Sequence, residues 1–193
     1  MEKFHRYRWD WIINEVGTGK KVLNLGGLDP FEKNKIVAKD NNVVDVDFFD
    51  RGVDIIANLE NGIPQADHTY DVIIAGEIIE HMTNPIYLVT ECYRVLKENG
   101  ILILTTPNIC GIKNRIYMLF GKLPANCASA YSSHLADFNV PVIKRIIQEC
   151  GFRIEKMNTR VVSLSPNRFI KKEFSIYFPF NISFHSSKFC DAG

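Results

Sequence analysis

Several things are scarce in this 193-residue chain, and each scarcity closes off a class of protein. No apolar run approaches the roughly 18–20 residues that a membrane-spanning helix needs. The five cysteines (Cys92, Cys110, Cys127, Cys150 and Cys190) are odd in number, scattered and never in a C-x-x-C pair. That argues against a disulfide framework or a zinc site and for reduced, cytosolic thiols. There is no internal repeat, no low-complexity linker and almost no charge excess, the formal net charge being +1. The start, MEKFHRYRWDW, is charged and aromatic, unlike a secretory leader. What remains is ordinary globular composition, 46% hydrophobic and 23% charged. A single domain over 1–193 is expected, long enough to bury roughly 70% of its unfolded surface.

The near-neutral total hides a polarity. Lys39 to Glu80 holds ten acidic and two basic residues, whereas Pro141 to the end holds nine basic and four acidic. An acidic centre repels phosphate backbones, so a nucleic-acid partner is not expected. The basic end fits a solvated face and leaves open peripheral contact with an anionic surface.

Strand and helix signals alternate between Lys21 and Asn108. Val22–Leu25 and Val43–Val46 read as strands, a short third lies near Val53–Ala57, and Val72–Ala75 and Ile101–Leu104 are continuously apolar. Such runs suit strands buried on both faces. Helices are expected over about Phe4–Val16, with a stripe of Tyr7, Trp11 and Ile12, and from Asp29-Pro30, where Asp is the N-cap and Pro the first helical residue. A third starts at Asn84-Pro85 with Ile86, Val89, Tyr93 and Leu96 on one face and Gly100 as its stop. A fourth starts at Asn139 with Ile143, Ile146, Ile147 and Cys150 inward. The fold class is therefore α/β, a doubly wound and mostly parallel sheet with helices on both faces. Such sheets bind ligands beyond the carboxyl ends of their strands.

The polar residues at those ends carry a resemblance. Asn24-Leu25-Gly26-Gly27-Leu28, the acid-ended NNVVDVD strand, Asn58-Leu59 and the YDVIIAGEIIEH segment together resemble the class I S-adenosylmethionine-dependent methyltransferases. The nearest look is to compact quinone-biosynthesis and cell-envelope glycan enzymes. The likeness covers roughly Phe4 to Ile154 and implies S-adenosyl-L-methionine as cofactor and no metal. It puts Asn24, Gly26 and Gly27 at the first turn, Asp47 (Asp45 as substitute) at the ribose, Asn58 and Leu59 at the adenine, and Glu77 nearby. It gives His81 and His134 catalytic roles, with a small-molecule or glycan-type hydroxyl as acceptor. Residues 108–139 would form an acceptor insertion or lid, with Asn108, Tyr131 and His134 lining the pocket. The aromatic-rich segment 165–193 would carry the family's last antiparallel strand, in EFSIYFPF, unless that strand is shortened or missing; a homodimer surface and a patch for a lipid-linked acceptor are the other uses of its rings.

Elementary chemistry suits these types to these places. Glycine lets backbone approach a ligand with no Cβ in the way. A carboxylate accepts two ribose hydroxyls at once, and histidine can take a hydroxyl proton near neutrality. Plainer roles fit the same residues: Gly26-Gly27 as a tight turn, Asp47 as a strand-end cap, and Glu77, Glu80 and His81 as junction residues favoured by a helix start. Two departures stand out, Asn24 where the family usually has an acid and Leu28 where it usually has glycine. They motivate a non-catalytic binding or regulatory module as the alternative. An NAD(P)-dependent oxidoreductase is the weaker rival, because the turn lacks G-x-G-x-x-G.

Overall fold

The computed structural model describes residues 2–124, 133–159 and 179–185; of these, the side chains of 2–7, 113, 158–159 and 179–185 are not described. Seven strands make one sheet: β1 (Lys21–Leu25), β2 (Asn42–Asp47), β3 (Ile55–Ile56), β4 (Tyr70–Gly76), β5 (Leu96–Pro107), β6 (Arg153–Thr159) and β7 (Pro179–His185). Their order is β3-β2-β1-β4-β5-β7-β6. The pairings β1 to β2, β2 to β3, β1 to β4 and β4 to β5 are parallel. Only β7 runs against its neighbours, wedged between β5 and β6. The final antiparallel strand is thus present at seven residues, PFNISFH, which shares Pro179 and Phe180 with EFSIYFPF; the rest of that stretch lies outside the described residues.

Alternation on the central strands divides the core in two. Val22, Val72, Ile74 and Ile103 face a cluster with Trp9, Ile12, Ile13 and Val16 of α1 (Glu2–Val16) and Ile36 of α2 (Pro30–Val37). Leu23, Leu25, Ile73, Ala75, Leu102 and Leu104 face the opposite cluster with α3 (Pro85–Val95) and α5 (Val140–Glu149). An exposed α4 (Ile112–Leu119) lies between β5 and α5 in the chain. Val22, Leu23, Ile73 and Ile74 are completely buried, each contributing about 1.5–3 kcal/mol of transfer free energy. Among the described residues no helix is long and apolar enough to cross a membrane.

The caps follow the sequence signals. Asp29 accepts from the Phe31 amide, Asn84 from Tyr87 and Asn139 from Val142, each just before a proline in the first turn. Two helical faces differ from expectation. On α1 the buried side chains are Trp9, Ile12, Ile13 and Val16, with Trp11 only half-buried; Tyr7 lies outside the described side chains. On α3 they are Leu88, Val89, Cys92 and Val95, while Ile86 is 48% exposed. Both segments are apolar on more than one stripe, so docking against the sheet chose the face. Helix α3 also ends at Val95, five residues before Gly100, where the chain bulges and Leu96 pairs with Tyr70 but Ile101 with Val72.

Candidate functional site

Sheet order reverses at β1, which has β2 on one side and β4 on the other. A crevice opens outside the carboxyl ends at such a point. The turn leaving β1 is held by two amides, Gly26 N and Gly27 N, which both donate to Val46 O, at 2.8 and 3.3 Å. Both glycines have positive φ, +98° and +68°. A Cβ on Gly27 would stand 2.7 Å from Asp47 Oδ2, and one on Gly26 would stand 3.1 Å from Ile78 Cδ1. Hence the glycines are required by the closeness of the β1 turn to the end of β2 and the loop after β4, not by the turn alone.

Asp47 is 92% buried (8% exposed), and its Oδ1 accepts from the Phe49 amide at 3.1 Å while Oδ2 faces Gly27. Asp45, the substitute for the ribose role, is committed elsewhere: Lys33 of α2 meets its Oδ2 at 2.8 Å and also bonds Asp54. Asn24 lies beside Asp45 in the register and is 1% exposed, yet its Nδ2 has no hydrogen-bond partner among the described residues. A buried amide left so costs about 1–3 kcal/mol, which a ligand acceptor would recover. Leu28 packs against the α1–α2 cluster; its side chain is part of the core rather than an obstacle in the turn.

Asn58 and Leu59 sit at the next connector. Asn58 Oδ1 accepts from the Glu60 amide to cap a short 3-10 turn, and Leu59 is buried in the core. The connector is tied to α3 by Arg94, which donates to the carbonyls of Ile63 and Gln65 and to the carboxylates of Glu91 and Asp67.

Beyond β4 the backbone is strained. Glu77 has φ +55° although it is no glycine, and its amide donates to Thr105 O at 2.9 Å. Holding such a residue in the left-handed region costs on the order of 1–3 kcal/mol and is typical of functional sites. Arg8 of α1 stands 3.5 Å from Glu77 Oε1, so the N-terminal helix reaches the site. A 3-10 turn then carries Ile79, Glu80 and His81. His81 Nδ1 lies 3.0 Å from Ser133 O, and its ring meets that of His134 edge-on with centroids 4.9 Å apart. Glu80 is 1% exposed; Thr106 Oγ1 donates to its Oε2 at 3.0 Å, and its backbone oxygen accepts from the amides of Leu135 and Ala136. Burial, helped by the Glu77 charge, pushes the Glu80 carboxyl up to about 8.

Asn24, Gly26, Gly27, Asp47, Glu77 and His81 therefore converge at the ends of β1, β2 and β4, and His134 joins them from the far side of the 108–139 segment. Asn108 follows β5, its Oδ1 accepting from the Cys110 amide and its residue bridging to Phe138. Tyr131 lies outside the described residues. Sequence reasoning assigned no role at the site to Thr105 or Thr106, and treated Glu80 only as a junction residue; Arg8 belongs to the FHRYRW segment, which the resemblance placed as a cover over the cofactor. The one available signal was that Glu80 directly precedes a histidine at the end of a buried strand.

A layered α/β sheet with this strand order and a polar crevice at its reversal has the architecture of Rossmann-like domains. Residues 16–104 match the family model described as a methyltransferase domain. A mitochondrial ubiquinone biosynthesis O-methyltransferase of Mus musculus is 25% identical over 138 residues, covering 71% of this chain and 37% of that protein. A probable S-adenosylmethionine-dependent methyltransferase of Mycolicibacterium smegmatis is 29% identical over 94 residues, 48% of this chain and 32% of the other. The chain thus spans only 37% and 32% of the length of these curated relatives. Among solved structures, a putative methyltransferase from Bacillus halodurans superposes with TM-score 0.65 at 15% identity, over 92% of this chain and 98% of that one. A putative methyltransferase of Haloferax volcanii, in complex with the Trm112 methyltransferase activator, gives 0.71 at 11% identity, over 96% and 92%. Over residues 16–104 the chain is thus similar to a methyltransferase domain, and the solved methyltransferase structures share its fold.

Proposed function

We propose that this protein transfers a methyl group from S-adenosylmethionine to a hydroxyl of a small-molecule or glycan-type acceptor. The observation that carries the reading is the cradle at the end of β1, where Gly27 leaves room for Asp47 Oδ2 and Gly26 for Ile78. It fits the cofactor: a Cβ would fill it, and the unpartnered Asn24 Nδ2 beside it offers a buried donor. Asp47 would accept the ribose hydroxyls, Asn58 and Leu59 would border the adenine, and Asn24 and Glu77 would face the methionine end. When bound, the cofactor supplies an already electrophilic methyl on a sulfonium. The protein's work is then to hold the acceptor in line and exclude water, where effective-molarity gains reach several kcal/mol.

Oxygen is favoured as the acceptor atom by the names of the relatives, several being ubiquinone biosynthesis O-methyltransferases, and by the histidines. A carbonyl only accepts, so the His81 contact with Ser133 O requires the proton on Nδ1 and leaves the Nε2 lone pair for an acceptor hydroxyl. Residues 108–139, with Asn108 and His134, would form the acceptor side. The non-catalytic alternative now rests on Asn24 alone, because Leu28 belongs to the core.

Calorimetric titration with S-adenosylhomocysteine, with NADH in parallel, tests the reading. Saturable one-to-one binding of the former only is expected; silence in folded protein would leave the binding-module reading in its place.

A further inference from the structure

We infer that Glu80 is a positioning residue for proton transfer, the third member of a group with His81 and His134. The inference rests on the proposed hydroxyl methylation and deepens it. Glu80, His81 and His134 each present one ligand-type atom, a carboxylate oxygen or a ring nitrogen, and these atoms all lie within 4.8 Å of one another. One Glu80 oxygen is fixed by Thr106, while Oε1 is buried with no hydrogen-bond partner among the described residues. A carboxyl placed so deeply, with one oxygen held and one waiting, is costly to keep unless something in the cycle uses it.

The use follows from charge. As the acceptor oxygen takes the methyl group, the carbon–sulfur electron pair stays on sulfur and the hydroxyl proton passes to an imidazole. That imidazole, half-buried, becomes a cation next to the buried Glu80 carboxyl. Where Glu80 is ionised, on the alkaline side of its raised value, it lowers the energy of that imidazolium, so the pair rather than either residue holds the proton. The same residue sets the geometry, since the Glu80 backbone oxygen ties down the amides of Leu135 and Ala136, immediately after His134. Charges from other elements also bear on it: Glu77 at the end of β4 raises the carboxyl and Arg8 of α1 lowers it, with the Thr106 hydroxyl of β5 lowering it as well.

The test is a histidine NMR titration of EDTA-treated protein, comparing wild type with Glu80→Gln, the ring signals being assigned with His81→Gln and His134→Gln. Glutamine preserves the shape and can still accept from Thr106. The expected wild-type result is a two-step titration of His81 or His134, with one step on the alkaline side of pH 7. In Glu80→Gln that step disappears and a single step remains. A merely structural glutamate would not move it. Identical titrations in the two proteins would overturn the assignment. So would a two-step curve seen only without EDTA, which would point to a bound cation. S-adenosylhomocysteine binding is measured on the same samples. Its loss from wild type would sink the methyltransferase reading, whereas retained binding with unchanged titrations would sink this inference alone.

Discussion

Gly27 and Asp47 constrain each other, and neither constraint is visible from one residue. A methyl group at position 27 would lie 2.7 Å from Asp47 Oδ2 on a backbone at φ +68°. Left-handed geometry costs an L residue about 1–2 kcal/mol, and the clash adds to that by pushing the carboxylate aside. Gly27→Ala should therefore lower Tm by several degrees and weaken S-adenosylhomocysteine binding at least tenfold, read by scanning and titration calorimetry. Asp47→Ala separates the two effects. It removes a charged acceptor worth about 1.5–3 kcal/mol to a ligand hydroxyl, so affinity should fall roughly ten- to a hundredfold. Among the described residues its side chain accepts only from the Phe49 amide, and the backbone bonds of the strand remain in the variant, so Tm should move little. Unchanged affinity would remove Asp47 from the ribose role.

At the scale of elements, the helix caps read directly because an Asn or Asp before a proline needs only its own neighbours to act. The faces of α1 and α3 did not, because Ile86, Leu88, Val89, Cys92, Tyr93, Val95 and Leu96 wrap most of the helix with apolar surface. Long-range polar ties were equally hidden. Arg94 spans about thirty residues of sequence to hold the Ile63–Asp67 connector, and Glu91, whose carboxyl this pairing holds below its ordinary value, accepts from the Ile63 amide at 2.9 Å. Arg94→Lys keeps the charge but loses the planar fork that reaches two carbonyls and two carboxylates together. The expected cost is about 1–2 kcal/mol, a drop of a few degrees in Tm, with cofactor affinity falling less than in Asp47→Ala. A Tm equal to wild type would show that the connector holds without the fork.

For the whole molecule, pH is the informative variable. The Glu80 carboxyl, pushed up to about 8 first by burial and then by Glu77, keeps in the folded state a proton that the unfolded chain releases near the ordinary glutamate value of 4.5. Between those values the native state binds more protons, so this group's contribution to stability is complete below the lower value and is lost as pH rises through the upper one. Glu80→Gln removes the dependence. Its Tm relative to wild type should climb steadily as the buffer is moved from mildly acidic to mildly alkaline, measured by calorimetry without ligand. A difference that is flat with pH would mean that Glu80 ionises in the fold as readily as outside it.

The sequence by itself determined the layered α/β class, the positions of five strands and most caps, and the glycine and acid positions that converge on the crevice. Period, propensity and punctuation are local, and these features depend on little else. Tertiary structure decided what depends on distant neighbours. It placed the antiparallel strand at Pro179–His185, between β5 and β6. It turned Leu28 into the core and engaged Asp45 with Lys33, leaving Asp47 to face the turn. It also brought Glu80 and His81 to within reach of His134, fifty residues away in the chain. Burial and through-space charge belong to the folded arrangement, and no stretch of sequence carries either alone.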